Sequence, residues 1–150
     1  MVKDNDGAED GIGGVGSVGS TVITNFHTLC ENISKLDKRI TGALMIRSGK
    51  ILAANMGAGS ALPTDEYLSK MIREAEVMVG IPLANKQFFG AYKFTLVSYE
   101  MQDIMLFYLE SQKAILGVGI LPPYSLSLIS KKIQGFLKNT FQPSFMRRNA

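Results

Sequence analysis

The chain has 150 residues, a mass of 16.4 kDa and a formal net charge of +3, a size that favours one domain with or without tails. Apolar residues make up 46% and charged residues 19%, which excludes a chain disordered throughout, and a mean hydropathy of +0.12 implies more apolar surface than one small core buries. One cysteine and one histidine exclude an intramolecular disulfide, a cysteine-cluster metal centre and multi-histidine chemistry.

The elements follow in chain order. Residues 1–19 are glycine-rich and acidic, with a net charge of −3 and no apolar periodicity, and read as a flexible tail. Val22, Phe26, Leu29, Ile33 and Leu36 recur at helical spacing, which predicts a helix over 20–38 capped by Ser20 or Thr21. The apolar runs at 42–46 and 51–55, separated by RSGK, predict a β-hairpin. After a loop at 57–60, Thr64 is the expected N-cap of a second helix over 64–79. Its apolar stripe is Leu68, Met71, Ile72, Ala75, Met78 and Val79, and Gly80 and Pro82 are its expected stop.

Residues 88–98, 103–110 and 113–121 are rich in aromatic and branched side chains. They predict three strands whose short connectors make them antiparallel neighbours. Pro122-Pro123 closes the last strand, and a third helix is expected over 125–137, ahead of a basic tail at 141–150. The predicted fold is α+β: a five-stranded antiparallel sheet with helices on both faces, in the order α-β-β-α-β-β-β-α, with the domain spanning 20–140.

The charge does not mark a nucleic-acid surface. Residues 20–112 are neutral, and from residue 113 onward there are six basic side chains and no acid. The pI near 9.0 therefore belongs to the C-terminal helix and tail rather than to a basic face. The acidic N-terminus is unlike a secretory leader, and the apolar stretch at 114–121 is too short to span a bilayer. The expected location is cytoplasmic, with no integral membrane contact.

Three motifs invite a chemical reading. Gly11, Gly13 and Gly16 spell G-x-G-x-x-G, and GVGSVGST at 14–21 resembles a phosphate-binding loop. Both motifs need a preceding strand, the second lacks its lysine, and acidic neighbours would repel a polyphosphate. His27, Cys30 and Glu31 share one helical turn, but no third nitrogen or sulfur ligand exists and Cys30 borders the apolar face, where it acts as a small hydrophobe. Most of the eight methionines, Met71 and Met78 among them, are at core spacing and read as core. No catalytic set, cofactor site or metal site is expected, and the chain is not expected to be an enzyme.

Local wording adds to the element order. ISKL at 33–36, ITGALMI at 40–46 and SGKILAA at 48–54 resemble the helix, strand, glycine turn and strand of the roadblock / dynein light chain family, and the likeness extends through about residues 20–140. It departs from the family at Arg47-Ser48, where an acidic residue often precedes the turn glycine, and in the N-terminal extension.

The resemblance implies a non-enzymatic protein that pairs with itself or with a related roadblock subunit through the edge strand after the second helix. The paired second helices would form a platform for a small Ras-like GTPase. Here that edge would be residues 88–98 and that helix 64–79, with Tyr67, Lys70, Met71, Glu74, Val77, Met78, Lys93, Thr95 and Val97 at the interface. Val77 stands off the apolar stripe, where an exposed β-branched residue gains nothing in a helix. The alternative function is a small-ligand sensor of PAS or profilin-like layout, which needs a hollow core with convergent polar groups.

Overall fold

A computed structural model of the protein describes residues 25–57 and 62–141. The glycine motifs, the N-terminal tail, Ser20, Thr21 and the basic residues of the C-terminal tail lie outside the described residues. The first helix, α1 (Phe26–Ser34), is capped by Asn25, whose side chain accepts from the Thr28 N–H at 3.0 Å, rather than by Ser20 or Thr21. It ends at Ser34 rather than near residue 38, although Leu36 still packs on the core.

The hairpin forms as its sequence predicts. Strands β1 (Ile40–Arg47) and β2 (Lys50–Met56) pair with Arg47 opposite Lys50. Ser48 (φ 52°) and Gly49 (φ 75°) supply the two left-handed residues of a tight turn. The Gly49 N–H donates to Glu76 Oε2 at 2.8 Å, tying the turn to the second helix.

That helix, α2 (Asp65–Ala84), does not stop at Gly80 and Pro82. Pro82 has no N–H to give, but its fixed φ is helical. The Asn85 side chain donates to the Ile81 carbonyl at 3.1 Å and its N–H donates to the Pro82 carbonyl, so the last turn is closed. Thr64 occupies the N-cap position without a side-chain hydrogen bond.

The strand expected over 88–98 is the largest departure. Phe88 and Phe89 lie on a short helix, α3 (Lys86–Phe89), closed by hydrogen bonds from Phe89 N–H to the Asn85 carbonyl and from Gly90 N–H to the Lys86 carbonyl. Gly90 then takes φ 93°, which turns the chain away, and only β3 (Thr95–Ser98) pairs in the sheet. Local helical bonds override the β propensity of the two phenylalanines. Strands β4 (Asp103–Leu109) and β5 (Ala114–Ile120) match expectation, and α4 (Leu126–Phe141) runs one turn past its predicted end.

The five strands form one antiparallel sheet in the order β2-β1-β5-β4-β3. Its two faces are covered unequally. On one, Ala43, Met45, Met105, Phe107, Leu116 and Val118 pack against Leu29, Cys30 and Ile33 of α1 and Ile129, Ile133 and Leu137 of α4. On the other, among the described residues, the α2 helix alone rests on Ile46, Leu106 and Ile115, through Ile72, Ala75 and Val79. Central β5 is buried on both faces; β2 and β3 are the sheet's edges.

Candidate interaction face

On α2 the residues not needed by the sheet form a second stripe. Tyr67, Lys70, Glu74, Val77 and Ile81 follow 3–4 spacing and are all exposed. Tyr67 is 57% exposed, Val77 58% and Ile81 61%, and beyond them Phe88 and Phe89 of α3 are 73% and 86% exposed. Large exposed apolar side chains grouped in this way make the stripe a candidate contact surface. The Lys70 ammonium stands 5.9 Å from the centre of the Tyr67 ring, which joins the charged and aromatic parts of the stripe.

Edge strand β3 pairs with β4 along one side. Thr95 and Val97 sit opposite Leu106 and Ile104, two residues packed on the α2 side, so both belong to the face that carries α2. The turn into β3 is pinned by Tyr92, whose hydroxyl bonds Thr95 Oγ1 and donates to the Leu106 carbonyl at 3.3 Å; burial pushes that phenol above its ordinary pKa. The turn out of it is pinned by Asp103, which accepts from Ser98 Oγ at 2.7 Å and from the Tyr124 hydroxyl. These bonds, led by the one from Tyr124, hold the Asp103 carboxyl below the usual carboxylate range. Burial, with Asp103 as neighbour, pushes the Tyr124 phenol up to about 12.

Between α2 and the sheet lies an apolar cleft of about 250 Å³. Gly42, Gly117 and Gly119 form its floor, and Met71 and Met78 hang from α2 above it. Gly119 has no room for a side chain, since a Cβ there would stand 2.5 Å from Thr41 Oγ1. Toward Tyr99 and Met101 the cleft continues into an outer groove, and Thr41, Met71, Glu74, Tyr99, Gln102 and Ile104 line both spaces.

The nine residues expected at an interface therefore divide. Tyr67, Lys70, Glu74 and Val77 share the outer stripe, Met71 and Met78 are half-buried in the cleft, and Thr95 and Val97 lie on the adjoining strand. Lys93 stands apart, ahead of β3, bordering a groove against α4 with Gln134 and Lys138. Ile81, Phe88 and Phe89 extend the exposed apolar surface beyond those nine. Ile81 falls four residues after Val77, but a helix stopped at Val79 leaves it off the face, and the two phenylalanines went to a strand.

On α1, His27 and Glu31 are exposed while Cys30 is fully buried, so the three do not converge. Burial pushes the Cys30 thiol up to about 11, in keeping with a small core hydrophobe. Among the described residues there is no group of three side chains suited to a metal ion, and no helix is long and apolar enough to cross a membrane.

No family model and no curated protein matches the sequence. Solved structures do match the fold. A Roadblock/LC7 domain from Streptomyces avermitilis superposes with a TM-score of 0.59 at 10% identity, over 77% of this chain and 94% of that one. The chain has the roadblock fold. MglB of Myxococcus xanthus superposes at 0.58 with 15% identity, over 77% and 91% of the two chains. An MglB with a tetrameric arrangement superposes at 0.51 with 16% identity, over 75% and 85%. In this roadblock fold α2 and the Thr95 and Val97 side chains of edge strand β3 share one face of the sheet.

Proposed function

We propose that this roadblock-fold chain is a self-pairing adaptor that docks a small Ras-like GTPase. The observation that carries the reading is the exposed apolar stripe Tyr67–Val77–Ile81 on α2, on the side of the sheet to which Thr95 and Val97 of the edge strand also belong. An unpaired edge is an aggregation hazard in a free chain, and pairing β3 with the β3 of a second copy would remove it. The same pairing would bring two α2 helices side by side. One solved structure with this fold, an MglB, has a tetrameric arrangement, which supports self-association here.

In this reading the chain contributes a surface and no nucleotide site. Any effect on GTP hydrolysis would come from positioning the GTPase's own residues around its phosphates and magnesium. Lys70 and Glu74 would set orientation and encounter rate, while Val77 and Ile81 would carry most of the affinity.

The test is absolute mass by light scattering across a hundredfold concentration range, followed by binding to small GTPases loaded with GDP or a GTP analogue. The expected species is about 33 kDa, twice the 16.4 kDa protomer. Val77→Lys with Tyr67→Ala should shift it to the protomer mass, or abolish GTPase binding, with the fold intact by circular dichroism. If the double variant leaves both mass and binding unchanged, the stripe is not the interface.

A further inference from the structure

The apolar cleft beneath α2 has a use that docking does not require. Its floor is open at Gly117, which pairs with Leu44 on a face that elsewhere carries Ile46 and Ile115, whereas the side-chain positions of Gly42 and Gly119 are already filled by the Asn55 carbonyl and the Thr41 hydroxyl. Gly117 could carry a methyl at ordinary contact distance, with its Cβ 3.6 Å from Leu106 and Leu44, so its missing side chain is spare volume. The roof on α2 includes two methionines, Met71 and Met78, beside Leu68, Ile72 and Ala75, and methionine is the most adaptable of apolar side chains. Apolar cavities of ~150 Å³ accept benzene, so about 250 Å³ holds a larger alkyl or aryl group.

The mouth is polar and its charge has one sign. Among the described residues lining the cleft and the outer groove, Glu74 is the sole charged side chain, and the structure gives it no ion pair or hydrogen bond. Gln102 lines the same two spaces, its Oε1 taken by the Thr41 hydroxyl at 3.2 Å and its amide N–H groups left to donate. An apolar pocket with a few convergent polar groups is the usual form of a small-molecule site. A carboxylate at the rim of such a pocket selects a cation.

We infer that the cleft between α2 and the sheet binds a small amphipathic amine, with its apolar body over Gly117 and its ammonium group on Glu74. The site adjoins the proposed pairing surface without needing it: the apolar body lies under α2, while Glu74 also belongs to the outer stripe and Val97 of β3 lines the same cleft.

The methionines make the test specific. Met71 and Met78 line the cleft, while Met45 and Met105 are buried on the opposite face of the sheet. The intact chain, labelled with carbon-13 at its methionine methyls, is titrated with n-octylamine, n-octanol and n-octanoate. Octylamine should shift the Met71 and Met78 methyl signals saturably and leave Met45 and Met105 in place, and octanoate should bind at least tenfold more weakly. Glu74→Gln should weaken octylamine about tenfold without weakening octanol.

Gly117→Leu should abolish binding of all three. If that variant fails to fold, Gly117→Ala, whose added methyl fits, should weaken them. Absence of shifts at Met71 and Met78, equal binding of octylamine and octanoate, or an unchanged Glu74→Gln would each overturn the proposal. Light scattering on the same samples keeps the two ideas apart: a monomer that shows the octylamine shifts retains the cleft and removes self-pairing.

Discussion

Asp103 shows how much one carboxylate can organise. It opens β4, closes the turn from β3 through Ser98, and reaches Tyr124 in the segment leading to α4. Its pKa is lowered in the native state, so protonating it is harder there than in the unfolded chain. The stability it contributes is present above the unfolded value of roughly 4 and is lost as pH falls through the lower folded value. Tyr124 has the opposite sense: above about pH 10 the unfolded phenol ionises while the folded one, pushed up to about 12, does not, so stability falls with rising pH. Tyr124→Phe should therefore lower the melting temperature at pH 7 more than at pH 2. It should also remove one late-titrating phenolate from an ultraviolet absorbance titration. Equal destabilisation at both pH values would show that the contact does not depend on the carboxylate's charge. None of this was legible in the sequence, because the three residues come from separate segments and are ordinary in composition.

At the scale of elements, local signals were read well where local chemistry decided the outcome. RSGK announced the hairpin because the turn needs left-handed residues, and Ser48 and Gly49 supply them. Gly80 and Pro82 announced a stop that tertiary contacts cancelled. Val79, Leu83 and their neighbours still pack toward the sheet, and Asn85 satisfies the carbonyls of the last turn. Gly80 then sits mid-helix at an ordinary φ with no atom within 4 Å of an added Cβ. Gly80→Ala should stabilise the protein by about 0.5–1 kcal/mol, read from chemical denaturation. A destabilised variant would mean that the helix gives way at this point. The candidate interface was half legible for the same reason: Val77 stood out as a hydrophobe off the stripe, but Ile81 could not be seen beyond a helix ended too early.

The whole molecule was predictable because short connectors leave few topologies, and β-rich runs with two-to-four-residue links become antiparallel neighbours. The order in space, with β5 at the centre between β1 and β4, follows from the long return through α2 and from no local signal. The unequal cover of the sheet has a consequence for how the protein opens. One face is sealed by α1 and α4 together, whereas α2 holds the other over a cleft, by a small cluster around Ile72, Ala75 and Val79 and one bond to the hairpin turn. Such a helix forms a separate cooperative unit of lower stability. Native-state hydrogen exchange should find the α2 amides released by a partial opening whose denaturant dependence is smaller than that of global unfolding, while β5 amides wait for global unfolding. If α2 and β5 exchange together, the two faces are one unit. If they separate, the segment that carries the exposed Tyr67–Val77–Ile81 stripe is also the one most easily lifted, and a molecule bound there would act as a latch on half of the fold.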